Sequence, residues 1–379
     1  MANENMNIIG AGQDTARPAP KKLEDIGFYT LSDVRALQSS ERSPLWRCEL
    51  ILTDRCNFKC TYCRGLRNDI SGEMPFETAL STVRQWIKEG LQNVRFSGGE
   101  PTLYTGLTEL ISECKNAGVK RIAVSTNGSA SQEKYLELIK SGANDFSVSL
   151  DACCSSVADR MSGGINGAWF KVVENIKWLS SQTYTTVGIV VNDENIDKCL
   201  DTILFADTLG VSDIRVIPSA QFDKMLGVLE SLPDRVLSKY PILNYRVSNI
   251  RNGCHVRGLR KSDCGRCRLV LDDMAIAAGY HFPCIIYMRE QGNAIGIVGP
   301  NMREERKEWS ENHDCFSDPI CSKNCLDVCI DFNNKANTRT SCAKAKSPAQ
   351  NTVEICHTAP NSAMLQGLKP HAGNTGTSA

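Results

Sequence analysis

The chain has 379 residues, with 43 Lys+Arg matched by 43 Asp+Glu and a net charge of zero. That length suits one large domain plus a smaller one, and the charge balance excludes the overall basic footprint of a nucleic-acid or anionic-membrane binder. Residues 1–24 lack the apolar run of a signal peptide, and no stretch approaches the roughly 18 apolar residues of a membrane span. The reading is a cytoplasmic protein with no nucleic-acid or membrane partner. In a reducing compartment its 18 cysteines point to metal rather than to disulfides.

From residue 46 onward, short β-type runs alternate with amphipathic stretches. Strands are predicted at 46–53, 93–97, 121–126, 145–150, 185–192 and 213–218, and helices at 76–90, 106–117, 131–141, 166–181 and 194–209. Such alternation predicts an α/β fold with a parallel sheet and right-handed crossovers. Six units can curve into a partial barrel or lie open as a doubly wound sheet. Polar groups cluster where strands end: Asp54-Arg55-Cys56, Ser97-Gly98-Gly99-Glu100, Thr126-Asn127-Gly128, Ser149 to Asp151, Asn192, and Pro218-Ser219 with Gln221. In parallel α/β folds those ends carry the site, so one shared mouth is predicted. After about residue 225 the rhythm fades. The domain reading is an extension at 1–45, partly disordered, a βα domain at 46–225, a cysteine-rich domain at 226–335 and a disordered tail at 336–379.

Cys56-x3-Cys60-x2-Cys63 directly follows the first strand. Thiolates ligate soft metals such as zinc and iron–sulfur clusters. Three of them can hold three irons of a cubane and leave the fourth open, whereas structural zinc wants a fourth ligand nearby. The stretch CNFKCTYC, with Tyr62 before the third cysteine, resembles the signature of the radical S-adenosylmethionine (radical SAM) superfamily. The likeness extends through Gly98-Gly99-Glu100-Pro101 and Ser125-Thr126-Asn127-Gly128. Ser147 to Asp151 followed by Asp159-Arg160-Met161 resembles the branch that includes the molybdenum-cofactor cyclase.

The resemblance implies a partial (β/α)6 barrel and a [4Fe-4S] cluster on Cys56, Cys60 and Cys63 whose open iron is chelated by SAM. It implies cofactor contacts from Tyr62, Gly98, Gly99, Glu100, Ser125, Asn127, Ser149, Asp151 and Asn192, with the backbone near Ile217 against adenine. Glu100 would accept a charge-assisted hydrogen bond from the SAM amino group. On the plainer reading Gly98-Gly99 is only a turn and Asp151 only a helix N-cap. The activity implied is reductive cleavage of SAM to a 5′-deoxyadenosyl radical that takes a hydrogen atom from substrate, with flavodoxin or ferredoxin as electron donor.

A second cysteine field follows, at 254, 264, 267, 284, 315, 321, 325 and 329. Cys267, a strand-like run and Gly279-x4-Cys284 resemble the hairpin that opens the SPASM and twitch auxiliary-cluster domains. Cys321-x3-Cys325-x3-Cys329 departs from the SPASM spacing and leaves the number of clusters open. At least one auxiliary iron–sulfur cluster is expected, on Cys267, Cys284 and two or three of Cys321, Cys325 and Cys329, with Cys264 and Cys315 in reserve. Zinc is the rival, because Cys264-x2-Cys267 is a familiar zinc spacing. Cys48, Cys114 and Cys199 read as core. Cys153-Cys154, beside the mouth, offers a thiol that could return a hydrogen atom to a substrate radical. His255 and His281 are weighed as ligands, with core or surface roles preferred.

Three functions follow: radical oxidation, rearrangement or epimerisation of a small molecule; radical modification of a peptide or protein side chain; and non-catalytic zinc or iron–sulfur binding. The chain ends in GTSA rather than the Gly-Gly tail of the molybdenum-cofactor cyclase and has no arginine-rich loop of its kind, which argues against that enzyme itself.

Overall fold

The computed structural model describes residues 33–219 and 227–344. The predicted disorder of the N-terminal extension and of the far tail lies outside those residues, as do Gln221 and Cys356. The tail prediction started too early, however: the helix Asp327–Lys344 carries ordered chain past residue 336.

Six strands alternate with helices much as the pattern predicts: β1 (Arg47–Ile51), β2 (Asn93–Ser97), β3 (Arg121–Thr126), β4 (Asp145–Ser149), β5 (Tyr184–Val191) and β6 (Asp213–Pro218). Three more follow: β7 (Asp273–Ala277), β8 (Tyr280–Phe282) and β9 (Gly296–Ile297). All nine form one sheet in the order β6-β5-β4-β3-β2-β1-β7-β8-β9. The sheet is open, parallel from β6 through β7 and antiparallel at β8 and β9. Residue 225 is therefore no break in the sheet. β7 pairs with β1 along its whole length, from Arg47↔Asp273 to Ile51↔Ala277.

The helices form for ordinary reasons. Phe76–Lys88 buries Ala79, Thr82, Val83 and Trp86, the i, i+3, i+4, i+7 stripe of one helical face. Gln132–Ser141 starts where the Ser131 hydroxyl accepts from the Lys134 N–H and stops at Gly142, whose φ of 129° suits glycine. Their apolar faces meet Leu50, Phe96, Val124, Phe146 and Val148 from the strands in one continuous core. Cys48, Cys114 and Cys199 are buried in it, in keeping with the core reading. The helix Ser155–Met161 is one the pattern reading lacked. Its Asp159 carboxylate caps the next helix, Ala168–Gln182, by accepting from Gly167 N at 2.9 Å and Trp169 N at 3.1 Å. Among the described residues no helix is long and apolar enough to cross a membrane.

Candidate active site

The cluster loop leaves β1 and is held from two sides. Lys59 N donates to Ser162 O at 2.9 Å and Thr61 N to Met161 O at 3.0 Å, so the end of the helix Ser155–Met161 clamps one flank. On the other flank, Gly99 N donates to Thr53 O at 2.6 Å and Glu100 N to Arg55 O at 2.7 Å. These contacts need the glycines. A Cβ on Gly99 would lie 2.3 Å from Arg55 O, and one on Gly98, whose φ is +156°, would lie 2.4 Å from Thr53 O. The glycine pair thus brings two backbones together, and no other residue leaves that room.

Cys56, Cys60 and Cys63 line the mouth of a cavity of about 310 Å³ together with Gly98, Gly99, Asn127 and Asp151. Alternate residues of five strands form its inner wall: Arg95 and Ser97, Ser125, Ser147 and Ser149, Gly188 and Val190, Arg215 and Ile217. Burial pushes the Cys56 thiol up, and it pushes Cys60 up to about 12, with the charges of Asp151, Cys63 and Cys56 adding to the effect. Crowded thiols held in their protonated form release protons when a metal takes them. Three converging thiols, a mouth of hydroxyls and amides and a cavity behind them fit an iron–sulfur cluster with one open iron and a ligand above it.

The other expected residues divide. Asp151 is half-buried; it accepts from the Tyr62 hydroxyl and, at 2.8 Å, from Val190 N. Burial raises its carboxyl to about 6 despite those donors. Tyr62 and Asp151 thereby tie the cluster loop to β4 and β5. The Asn127 amide donates to Asn57 Oδ1 at 2.8 Å and lies 3.7 Å from Cys56 Sγ. The Ser125 hydroxyl accepts from Arg95 at 2.9 Å, and Ser149 is exposed to the cavity.

Glu100 lies outside the cavity wall and is fully buried. Its Oε1 accepts from Thr102 N at 3.1 Å, the Thr102 hydroxyl at 2.7 Å and the Thr126 hydroxyl at 2.8 Å; its Oε2 accepts from Asn127 N at 2.7 Å. Four donors occupy the carboxylate, so in this geometry it joins the ends of β2 and β3 instead of reaching for a ligand amino group. Asn192 also lies off the wall: its Oδ1 accepts from Glu194 N at 2.8 Å in the loop after β5. Cys153 and Cys154 do not line the cavity either; Cys153 N donates to Thr202 Oγ1 at 3.1 Å, facing the helix Cys199–Asp207. The geometry gives no support to a hydrogen-atom donor at that pair.

The second cysteine field gathers as well. Cys267 feels the charges of Cys315, Cys284 and Cys329, and Cys325 is in hydrogen-bond contact with Cys329. Burial raises the Cys267 and Cys284 thiols, the latter to about 12. Cys264 feels Cys315. Cys254 sits apart, buried, 3.8 Å from Arg260. His281 is a core residue between Glu305, at 2.9 Å, and Arg306, at 3.2 Å. His255 lies beside Cys254 in a small separate recess.

Three residues at or beside the cavity escaped the sequence reading. Arg95 and Arg215 reach the cavity from the middle of β2 and β6. Burial lowers Arg95 to about 9, with the charges of Arg215 and Arg121 adding to the effect, and lowers Arg215 to about 10, with Arg121 adding. Arg289, just after Cys284, donates to Gly65 O at 2.8 Å and Gly98 O at 3.1 Å, joining the second cysteine field to both loops of the first.

A parallel βα sheet with three thiols after β1 and a glycine pair after β2 is the arrangement that the radical SAM resemblance implies. Residues 50–206 match the model of the Radical SAM superfamily. It is 30% identical over 169 residues to a probable GTP 3′,8-cyclase of Sulfurisphaera tokodaii, covering 44% of this chain and 53% of that protein. It is 25% identical over 282 residues to a probable GTP 3′,8-cyclase of Methanosarcina mazei, covering 67% of this chain and 80% of the relative. Against the Sulfurisphaera tokodaii protein and its Saccharolobus solfataricus counterpart, the chain spans little more than half the relative's length. Among solved structures, Streptococcus suis SuiB bound to S-adenosylmethionine superposes with a TM-score of 0.53 at 16% identity, over 84% of this chain and 76% of SuiB. Native anSMEcpe with bound AdoMet gives 0.51 at 16% identity, over 78% and 95%. At these identities the two structures speak to the fold alone.

Proposed function

We propose that this protein is a radical SAM enzyme that abstracts a hydrogen atom from an anionic small molecule, assisted by an auxiliary iron–sulfur cluster. The observation that carries this reading is one cavity that joins three metal-type thiols at its mouth to two guanidiniums on its wall. The cluster and SAM, when bound, supply the 5′-deoxyadenosyl radical. The chain's own residues do the rest. Cys56, Cys60 and Cys63 hold three irons, and Tyr62 and Asp151 fix the loop that carries them. Ser125, Ser149 and Asn127 offer hydroxyl and amide contacts to a bound ligand, and the inner wall excludes bulk water from the reacting carbon.

Arg95 and Arg215 supply the charge for a carboxylate or phosphate, which desolvation makes worth more than at a surface. The relatives named as probable GTP 3′,8-cyclases point, by name, to a substrate of that kind. For the auxiliary cluster, Cys267, Cys284, Cys325 and Cys329 supply the four thiolates a closed [4Fe-4S] cluster needs. It would take up an electron left by substrate oxidation or hold a substrate heteroatom.

The test is anaerobic reconstitution followed by a dithionite-driven assay for 5′-deoxyadenosine, with Cys60→Ala as the control expected to abolish it. No 5′-deoxyadenosine from a fully loaded chain would sink the enzyme reading. Arg95→Ala should leave uncoupled SAM cleavage intact and weaken its stimulation by anionic candidates, whereas stimulation by peptides alone would favour peptide modification. Iron near four per chain would remove the auxiliary cluster; about eight supports it.

A further inference from the structure

We propose that His313, Cys315 and Cys321 form a mononuclear zinc site, beside the auxiliary thiols but distinct from them as a ligand set. The ring nitrogen and the two sulfurs all lie within 4.8 Å of one another, and among the described residues this is the trio of ligand side chains so arranged. His313 Nε2 stands 3.6 Å from Cys321 Sγ. A tetrahedral zinc with Zn–S of about 2.3 Å and Zn–N of about 2.0 Å sets its ligands about 3.5 Å apart. The thiolates of a cubane sit on separate irons and stand farther from one another, so this spacing suits one ion.

Each ligand is positioned by its surroundings. His313 follows the helix Met302–Asn312, and its ring stacks on Trp309 with centroids 4.0 Å apart and planes 16° from parallel. Cys315 is buried, with its N–H donating to Gly265 O at 2.9 Å. Cys321 lies in the first turn of the helix Pro319–Asn324, where Asp318 Oδ1 accepts its N–H at 2.8 Å. The other Asp318 oxygen lies 3.4 Å from His313 Nε2 and accepts from the Tyr287 hydroxyl at 2.9 Å, placing an acidic group beside the ring. His313 and Cys321 are only half-buried, which leaves the fourth corner to water. With Cys315 and Cys321 on zinc, Cys267, Cys284, Cys325 and Cys329 remain as one four-thiolate set.

The proposal is independent of radical chemistry, and so is its test. The full chain is isolated anaerobically, and zinc, iron and sulfide are counted. Cobalt(II) is then offered after selective zinc removal, because tetrahedral thiolate-bound cobalt absorbs strongly in the visible. The expected result is one zinc per chain beyond the iron, a tetrahedral cobalt spectrum, and at least a tenfold loss of zinc in His313→Ala and Cys321→Ser with iron and sulfide unchanged. Loss of iron and sulfide from those variants, with zinc retained or never present, would overturn the proposal and make the trio cluster ligands. Where His313→Ala does not fold, His313→Cys decides. Retained zinc with added thiolate-to-cobalt absorption supports the site, and an unchanged cobalt spectrum overturns it.

Discussion

Glu100→Gln separates a strut from a ligand-binding carboxylate. The native side chain accepts four hydrogen bonds, two from the fixed backbone N–H groups of Thr102 and Asn127 and two from threonine hydroxyls. An amide at this position turns its NH2 either toward Asn127 N or toward Thr102 N, and each orientation sets donor against donor. One charge-assisted bond is lost, at about 1.5–3 kcal/mol, and one buried N–H is left unpaired, at about 1–3 kcal/mol. Removing the buried charge offsets part of this, since burial already holds the Glu100 carboxyl above its usual range. The net loss is about 2–4 kcal/mol. Urea unfolding of the metal-free chain measures it as a lower midpoint at unchanged slope. A metal-free variant within about 0.5 kcal/mol of the parent, combined with at least tenfold weaker SAM binding by the loaded protein, would refute the strut and restore the carboxylate as a ligand contact.

Gly99→Ala should cost about 2–4 kcal/mol, from overpacking against Arg55 and strained bonds to Thr53 and Arg55, and should lower iron retention. Gly118→Ala, at φ +80° with nothing within 4 Å of the added methyl, should cost only about 1 kcal/mol and keep the iron; equal iron loss from both would refute the contact argument. Asp159→Ala removes the cap of the helix Ala168–Gln182 and should cost about 1–2 kcal/mol in thermal unfolding, with faster loss of iron from the clamped loop. Burial, with Arg306 alongside, lowers His281 to about 3. A depressed folded value gives stability that is present above the unfolded value of about 6.5 and is lost as pH falls from there toward 3. Between pH 7 and pH 5 the loss is at most about 2 kcal/mol, reduced by the Glu305 carboxylate at Nε2. Urea midpoints at the two pH values should differ less in His281→Asn than in the parent, and equal differences would exclude this group.

The βα half of the fold was legible because local signals agree there: apolar runs of five or six residues mark the strands, and helical stripes lie between them. The cluster loop was legible because three thiols in eight residues have few other uses. What escaped depends on distant partners. Asp273–Ala277 reads as a strand, but nothing local says that it pairs with Arg47–Ile51, more than two hundred residues earlier. Arg95 and Arg215 read as the polar half of an alternating strand, and only the assembled sheet with its loops turns that half into a cavity wall. Glu100 carries a family motif, yet its role follows from Thr126 and Asn127 on the next strand. The run His313-Asp314-Cys315 could have raised a metal ligand, but Cys321 completes the trio only through the turn between two helices.

The pairing of β7 with β1 bears on how this protein can be cut. β1 has β2 on one side and β7 on the other, with five residues in register on each. A truncated chain ending near residue 225 would keep every radical-site cysteine and still strip the strand that launches them, baring a row of backbone N–H and C=O groups on mainly apolar residues. Such an edge invites a second copy to pair with it. The minimal soluble unit of the radical site therefore extends through β7, and a shorter fragment is expected to aggregate before it can be loaded.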